Sequence, residues 1–418
     1  MIEQHIKIPP LRFPEFKGEW ENKRLGEVST INPTTNKLPE KFIYIDLESV
    51  DNGELTKEIV VLKNDAPSRA KRVVEKDDIL FQMVRPYQKN NLFFDRDGDY
   101  VASTGYAQIK AKQSSRFIYQ YLHLQKFVDE VIERCTGTSY PAINSKDLAK
   151  ICICYPTLPE QQKIASFFTA INQKITQFKK KKDLLEQYKK GVMQKIFSQE
   201  PEERGSRTPS KNNNACEQIR FKDDNGQEFP KWEKKKLGDL LSVTIDNRGK
   251  TPPIMDTGIP LLEVNSIGKK EISYNAVTKF VNNDTYNSWF RKHLEIGDIL
   301  FSTVGNTAIC SFYDGKYKAC IAQNIVELRF RNDYSLFIFY LLTEERNNNK
   351  FKQIEMGAVQ PSVKVSQMIN LYFSLPCKAE QIKIGNFLSA IDEKINHPQT
   401  QIEKAEVWKK GLLQKMFV

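Results

Sequence analysis

The chain has 418 residues, with 63 Lys and Arg against 52 Asp and Glu and a formal charge of +11. That length admits about two to four domains, and the basic excess fits either a polyanionic partner or an ordinary basic surface. No apolar run approaches the roughly 18 residues a membrane-spanning helix needs, and Met1 to Phe16 carries scattered charges and prolines with no apolar centre, so neither a membrane span nor a secretory signal is expected.

From residue 1 to about 157 the pattern is mixed. Short strands are expected at Glu27 to Asn32, Phe42 to Asp46, Asp78 to Val84 and Ala107 to Ala111. Phe117 to Glu133 has helical periodicity. Thr136-Gly137-Thr138-Ser139-Tyr140-Pro141 reads as a loop, and the strand Ile151 to Tyr155 ends at Pro156. A long helix follows, with Pro159 just before it, Glu160 in its first turn and Gly191 as its only break before Phe197. Ser198 to Ala215, with Pro201, Gly205, Pro209 and three consecutive asparagines, is an exposed linker by composition. The second half starts near Ile219. It offers strands at Leu240 to Ile245, Gly258 to Val264, Asp298 to Thr303 and Ile325 to Phe330, then a helix at Leu336 to Phe351. A loop holds Gly357 and Pro361, a strand spans Leu371 to Leu375, and a closing helix begins near Lys378.

The two halves repeat one another. Glu186-Gln187-Tyr188-Lys189-Lys190-Gly191-Val192-Met193-Gln194-Lys195-Ile196-Phe197 returns 220 residues later as Glu406-Val407-Trp408-Lys409-Lys410-Gly411-Leu412-Leu413-Gln414-Lys415-Met416-Phe417, identical at seven of twelve positions. The same offset relates Asp78-Ile79-Leu80-Phe81 to Asp298-Ile299-Leu300-Phe301. It also relates Gly137 and Pro141 to Gly357 and Pro361, and Glu160-Gln161 to Glu380-Gln381. Nearer the start, Trp20 and Leu25-Gly26 match Trp232 and Leu237-Gly238 at an offset of 212, so the second copy carries eight extra residues in between. Matched parts are framework; unmatched parts are free to diverge.

Both long helices carry apolar residues at 4-3 spacing. Positions 164, 168, 171, 175, 178, 182, 185, 189, 192 and 196 are apolar except Lys182 and Lys189. Positions 384, 388, 391, 395, 398, 402, 405, 409, 412 and 416 are apolar except Lys409 and Pro398, the latter standing where the first helix has Phe178. Such a stripe needs a partner helix, and two-fold closure of duplicated units favours antiparallel pairing. Thirty-eight residues make a rod roughly 57 Å long. A kink or break is expected near His397, because proline removes a helical hydrogen bond and crowds the preceding turn. The run Lys179 to Lys182 is a solvated face, or a contact for phosphates or an acidic partner; the Lys182 stem packs on the stripe while its charge reaches water.

The expected fold class is α+β: two globular mixed α/β heads separated by two long helices in an antiparallel coiled coil, a pseudo-two-fold internal repeat. Expected boundaries are 1–157, 158–198, 199–218 (linker), 219–377 and 378–418. Two unlike heads held at fixed spacing suit an asymmetric, bipartite DNA target, as dimeric repressors suit palindromes.

This arrangement resembles a type I restriction–modification specificity subunit. The residues that carry the resemblance are the two Gly…Pro loops, the strands ending at Pro156 and Pro376, the Glu-Gln helix starts and the closing Lys-Lys-Gly-x-x-Gln-Lys-x-Phe, each present twice in order. The resemblance implies target-recognition domains that read double-stranded DNA. It also implies helices that dock two modification (methyltransferase) subunits, and restriction (ATP-dependent translocase/nuclease) subunits bound through those. Adenine methylation and cleavage would belong to the partner subunits, and Pro398 departs from the usual unbroken helix.

Base reading needs Arg, Lys, Asn, Gln, Ser or Thr near loops. In the first head the candidates are Gln82, Arg85, Tyr87, Lys89, Asn90 and Asn91 after the Asp-Ile-Leu-Phe strand, and Thr138, Ser139, Tyr140, Asn144 and Lys146 around the Gly…Pro loop. In the second they are Ser302, Thr303, Asn306 and Thr307, then Gln360, Ser362 and Lys364, with Arg248, Lys250, Gln323 and Asn324 as further candidates. Ordinary polar loops are the alternative.

No Asn/Asp-Pro-Pro-Tyr/Phe adenine-flipping motif, Gly-x-Gly nucleotide signature or phosphate-binding Gly-x-x-x-x-Gly-Lys-Ser/Thr occurs, so neither catalysis nor a cofactor is expected. Seven cysteines without a Cys-x-x-Cys, and four scattered histidines, argue against zinc and fit reduced thiols in a cytoplasm. Cys152 and Cys154 fall on one strand face. Two other readings remain at this stage: a stand-alone DNA-binding regulator, and a protein-only helical scaffold.

Overall fold

The computed structural model describes residues 7–34, 37–198, 219–246, 251–290, 292–357 and 359–418. The expected linker 199–218 lies outside the described residues. The chain divides into two compact units, Met1–Lys180 with Gln399–Val418, and Lys181–Pro398.

In unit 1 an antiparallel sheet runs in the order Ser29–Ile31, Tyr106–Ala111, Ile79–Gln82, Leu92–Phe93. A second, mixed sheet runs Ile59–Leu62, Lys41–Ile45, Tyr100–Ser103, Ala70–Val74, with a parallel pairing between Tyr100–Ala102 and Ile43–Ile45. Unit 2 repeats both themes. Its antiparallel sheet is Leu241–Asp246, Ile325–Phe330, Ile299–Ser302, Cys310–Phe312. Its smaller mixed sheet is Phe280–Val281, Ile259–Leu262, Cys320–Ile321. The Asp-Ile-Leu-Phe repeats are central strands, and Ile79, Leu80, Phe81 and Ile299, Leu300, Phe301 are fully buried. Mixed sheets under short helices are the expected α+β class.

Three expectations are corrected. Glu27 to Asn32 begins as the end of a short helix, Leu25–Val28, before the strand Ser29–Ile31. Gly26 sits in that helix because a Cβ there would lie 3.1 Å from the Cβ of Ala149; Gly238 in the second copy meets the Ile369 carbonyl at the same distance. The helix expected over Phe117 to Glu133 is two, Ser115–Tyr121 and Gln125–Glu133, and that over Leu336 to Phe351 is Ser335–Thr343 and Glu345–Gln353. In each pair the first member is largely buried and the second amphipathic, so one straight rod cannot satisfy both faces. The break is set at Leu124 and Glu344, both extended, and the Glu344 carboxylate caps the Asn347 amide at 3.1 Å. Thirdly, Pro398 does not interrupt its helix.

The long helices are Leu158–Phe197 and Lys378–Met416. Pro159 lies inside the first turn, where its missing N–H has no helical acceptor to lose. Every position of both 4-3 stripes is buried or half-buried. Pro398 is itself buried, and packing of Ile395 in unit 2 and Ile402 in unit 1 holds the helix on either side of the lost hydrogen bond.

Within unit 1 the segments run antiparallel. The Phe168 ring meets Phe417 at 6.0 Å, and eleven residues further along the first helix the Lys179 ammonium meets Glu406 at 3.6 Å, eleven residues back along the second. The repeated terminal phenylalanines are the plugs. Phe417 packs against Trp20, Phe117 and Tyr121 in the first head. Phe197 packs against Trp232 and Phe337 in the second. The backbone repeats this join: Leu11 N–H donates to the Lys415 carbonyl at 2.8 Å, and Ile219 N–H to the Lys195 carbonyl at 3.3 Å.

The helix starts are pinned by a repeated ion pair. Arg12 forms a bidentate pair with the buried Glu160, both contacts 2.7 Å. Arg220 does the same with the buried Glu380, at 3.2 and 2.8 Å. Gln161 and Gln381 donate to the carbonyls of Pro156 and Pro376.

Phe417→Ala should remove about 3–5 kcal/mol and should selectively expose amides of Ser115–Tyr121 to hydrogen exchange, leaving Ser335–Thr343 protected. A second prediction concerns the buried acid cluster of unit 2. Arg329 bonds Asp298 and also approaches Glu327 and Glu295. Asp298 and Glu327 are buried while Glu295 is exposed, and one guanidinium cannot neutralise both buried carboxylates. Burial first, then Asp298, holds the Glu327 carboxyl protonated well above the ordinary carboxylate range. Its folded pKa exceeds its unfolded one, so the stability it contributes is complete below the ordinary carboxylate range and is lost as pH rises through the folded value. The first head solves the same position with Gln108, whose amide donates to Asp78 at 2.7 Å. Glu327→Gln should therefore melt above the parent by a margin that widens from pH 5 to pH 8.

Candidate nucleic-acid interface

Each head brings two loops together by the same device. In the first, Arg85 N–H donates to the Pro141 carbonyl at 2.8 Å and Ile143 N–H to the Met83 carbonyl at 3.1 Å. In the second, Gly305 N–H donates to Pro361 at 2.8 Å and Val363 N–H to Thr303 at 2.8 Å. Bridges Val84↔Ala142 and Val304↔Ser362 lie at equivalent places. Gly137 and Gly357 adopt φ of +90° and +94°, and a Cβ at either would press on the carbonyl oxygen of Tyr140 or Gln360. The turn therefore demands glycine in both copies.

The sequence candidates separate into framework and surface. Gln82 and Asn91 are buried: the Gln82 N–H donates to Asn91 Oδ1 at 2.9 Å and the Gln82 amide to Gln88 at 2.8 Å. Asn90 binds Gly53 N–H and the Val50 carbonyl. Lys89 is turned onto the His123 carbonyl at 3.1 Å and Gln125 at 2.9 Å, and burial lowers its pKa. Asn144 caps the helix Ser145–Lys150 through the Asp147 N–H at 2.9 Å. Ser302, Thr303 and Thr307 are buried and bond to Asn306, Asn324 and Glu355 respectively. Ser362 donates to the Met356 carbonyl at 3.3 Å, and Gln323 reaches Thr251 at 3.3 Å. These side chains shape the loops.

Facing outward in the first head are Tyr87, Thr138, Ser139, Tyr140 and Lys146. The Arg85 guanidinium stacks 4.2 Å from the Tyr140 ring centroid, which joins the two loops through their side chains as well. In the second head Asn306, Asn324, Gln360 and Lys364 face outward, together with the fully exposed Val359. Arg248 and Lys250 lie outside the described residues.

Thus one scaffold carries a stacked Arg/Tyr pair with hydroxyls in one copy and carboxamides in the other. Polar donors and acceptors of different kinds on equivalent rigid loops are what reading two unrelated base sequences requires. Among the described residues, no group of three or more His, Cys, Asp or Glu is placed to hold a metal, and no helix is long and apolar enough to cross a membrane.

Sequence reasoning passed over the helix-pinning pairs. Arg12 and Arg220 stand 208 residues apart, off the repeat's offsets, and only the matched Glu160 and Glu380 pointed toward them.

The model of the type I restriction modification DNA specificity domain matches the chain twice, at residues 17–187 and 230–406, and the chain belongs to that family. Its function is recognition of DNA sequence in a type I restriction–modification system, without catalysis of its own. The type I restriction enzyme MjaVIII specificity subunit of Methanocaldococcus jannaschii is 23% identical over 429 residues, covering 98% of this chain and 94% of the relative. The HindI specificity subunit of Haemophilus influenzae is 26% identical over 168 residues, 38% of this chain and 36% of the relative. Among solved structures, a type I restriction–modification S subunit from M. genitalium aligns with TM-score 0.60 at 13% identity, covering 98% of this chain and 99% of that one. A chain from a study of assembly and conformational transition of the type I system aligns with TM-score 0.53 at 20% identity, covering 95% and 97%. At these identities the structures speak for the fold alone.

Arg12→Met leaves the buried Glu160 carboxylate unpaired and should destabilise unit 1 by about 3–5 kcal/mol, seen as an earlier urea transition; Arg12→Lys should restore part of the loss.

Proposed function

We propose that residues 1–157 and 219–377 are separate target-recognition domains, each reading one half of an asymmetric, bipartite double-stranded DNA site. The bridged loops supply the reading surface: Arg85, Tyr87, Thr138, Ser139 and Tyr140 in the first domain, Asn306, Asn324 and Gln360 in the second, with Lys146 and Lys364 for phosphates. The observation that carries this is the pair of identical loop joins bearing unlike outward side chains. Residues 158–198 and 378–418 dock two modification subunits, one on each copy of the repeat, and restriction subunits join through them.

Support for docking comes from surface that the chain leaves uncovered at matched positions. Tyr188 and Trp408 are each 54% exposed. Among the described residues, nothing lies within 4 Å of a Cβ added at Gly191 or Gly411. A mid-helix glycine costs about 1 kcal/mol against alanine, and no contact among those residues calls for one. A helix packed closely from outside would.

Exchange of residues 1–157 for the head of another family member, followed by methylome sequencing of cells that also hold the modification subunits, should alter one half of a two-part adenine-methylated motif. Alteration of both halves contradicts one domain per half-site. Adding a heptad to each long helix should lengthen the unread gap in the same assay.

A further inference from the structure

One groove is built twice, once in each unit, and only in unit 2 is the first repeated lysine paired with an acid among the described residues. In unit 2 a cavity of about 650 Å³ is lined by Lys189, Lys190 and Ile395. In unit 1 a cavity of about 960 Å³ is lined by their counterparts, Lys409, Lys410 and Ile175. The lysines come from the repeated Lys-Lys-Gly, so both grooves carry the same pair of cations.

In unit 2 the chain supplies its own anion. Lys189 Nζ lies 2.5 Å from Asp392 Oδ1, and Tyr340 donates to Asp392 Oδ2 at 2.5 Å. Two hundred and twenty residues earlier the same positions hold Asn172 and Gln120, both neutral. Lys409 keeps its place, part-buried, and among the described residues no hydrogen bond or ion pair reaches it. Its nearest acid along the helix, Glu406, binds Lys179 at 3.6 Å. Lys410 lines the same groove and Lys179 acts on Lys409 as a like charge. Burial lowers the Lys409 pKa, partly opposed by nearby Glu406.

We propose that the unit 1 groove is a carboxylate-binding site, in which the ligand's carboxylate takes the place that Asp392 fills in unit 2. Lys409 supplies the charge, and Asn172 and Gln120 supply amide donors of the kind a carboxylate accepts from. A single negative charge matches better than a phosphate, because Glu54, Asp95 and Glu406 also line the groove. The carboxylate comes either free, on a small acid, or carried on an acidic polypeptide segment.

The test is differential acetylation of the full chain, read lysine by lysine by mass spectrometry, with exposed Lys404 as reference. Two probes, glutarate and a hexaglutamate peptide, are added in turn. Protection of Lys409 by about tenfold with Lys404 unchanged supports the site. Glutarate alone acting identifies a free acid, hexaglutamate alone an acidic polypeptide, and both together a site indifferent to the carrier. Asn172→Asp builds the missing carboxylate in: Lys409 should then label slowly without a probe and gain nothing from one. Asp392→Asn should conversely make Lys189 protectable, and this arm stands on its own if the first variant does not fold. The proposal is overturned if neither probe slows Lys409, if Lys409 refuses label in the probe-free parent, or if protection survives unchanged in Asn172→Asp.

Discussion

Everything in this molecule depends on a phenylalanine at the end of each long helix. Phe417 closes the aromatic cluster of Trp20, Phe117, Tyr121 and Phe168, and without it the first head has an open floor. It is contributed by the far end of the chain, so the first head is complete only when the second helix returns to it antiparallel to the first. Phe197 does the same for Trp232 and Phe337. Burying one large aromatic ring in a preformed cluster recovers several kcal/mol. That gain is what ties the pairing of the rods to the folding of each head.

Given that tie, divergence becomes safe. The framework of each unit consists of the central strands, the glycine turns, the bidentate Arg–Glu pairs and the terminal rings, and it is duplicated almost residue for residue. Between Leu25-Gly26 and Ile79–Gln82 the first head forms the strands Lys41–Ile45 and Ile59–Leu62, while the second forms the shorter pair Ile259–Leu262 and Phe280–Val281 and adds the helix Asn283–Trp289. Loop side chains can change chemical character without disturbing the joins that hold them, since those joins are main-chain bonds. On the proposed reading, this separation of backbone from side-chain work is what lets one fold serve unrelated sequences.

Much of the architecture was legible because a repeat is visible without any knowledge of structure, and because the 4-3 stripe reports burial directly: no stripe position is exposed. Strands with buried Ile, Leu and Phe at the Asp-Ile-Leu-Phe repeats were legible for the same reason. The split helices were not, since nothing in Leu122-His123-Leu124 or at Glu344 breaks periodicity; the break comes from what the two faces must bury. Among site candidates, position in a loop was legible but direction was not. Gln82, Asn91 and Ser302 look like readers by residue type and are buried, whereas Tyr140 and Gln360 in the adjoining loops face outward. Pro398 shows the converse limit: local propensity foretold a break, and packing on both sides kept the helix whole.

The central claim is that the two rods pair tail against head within one chain. Lys179→Cys with Glu406→Cys puts one thiol on each rod at positions whose long side chains now meet as an ion pair at 3.6 Å, so a short bis-maleimide can bridge them. Cross-linking followed by peptide mass spectrometry should yield a 179–406 link within single chains. Cross-links that join only different chains, or a link from 179 to a cysteine at 399, the position a parallel register would offer, in place of 406, would contradict it.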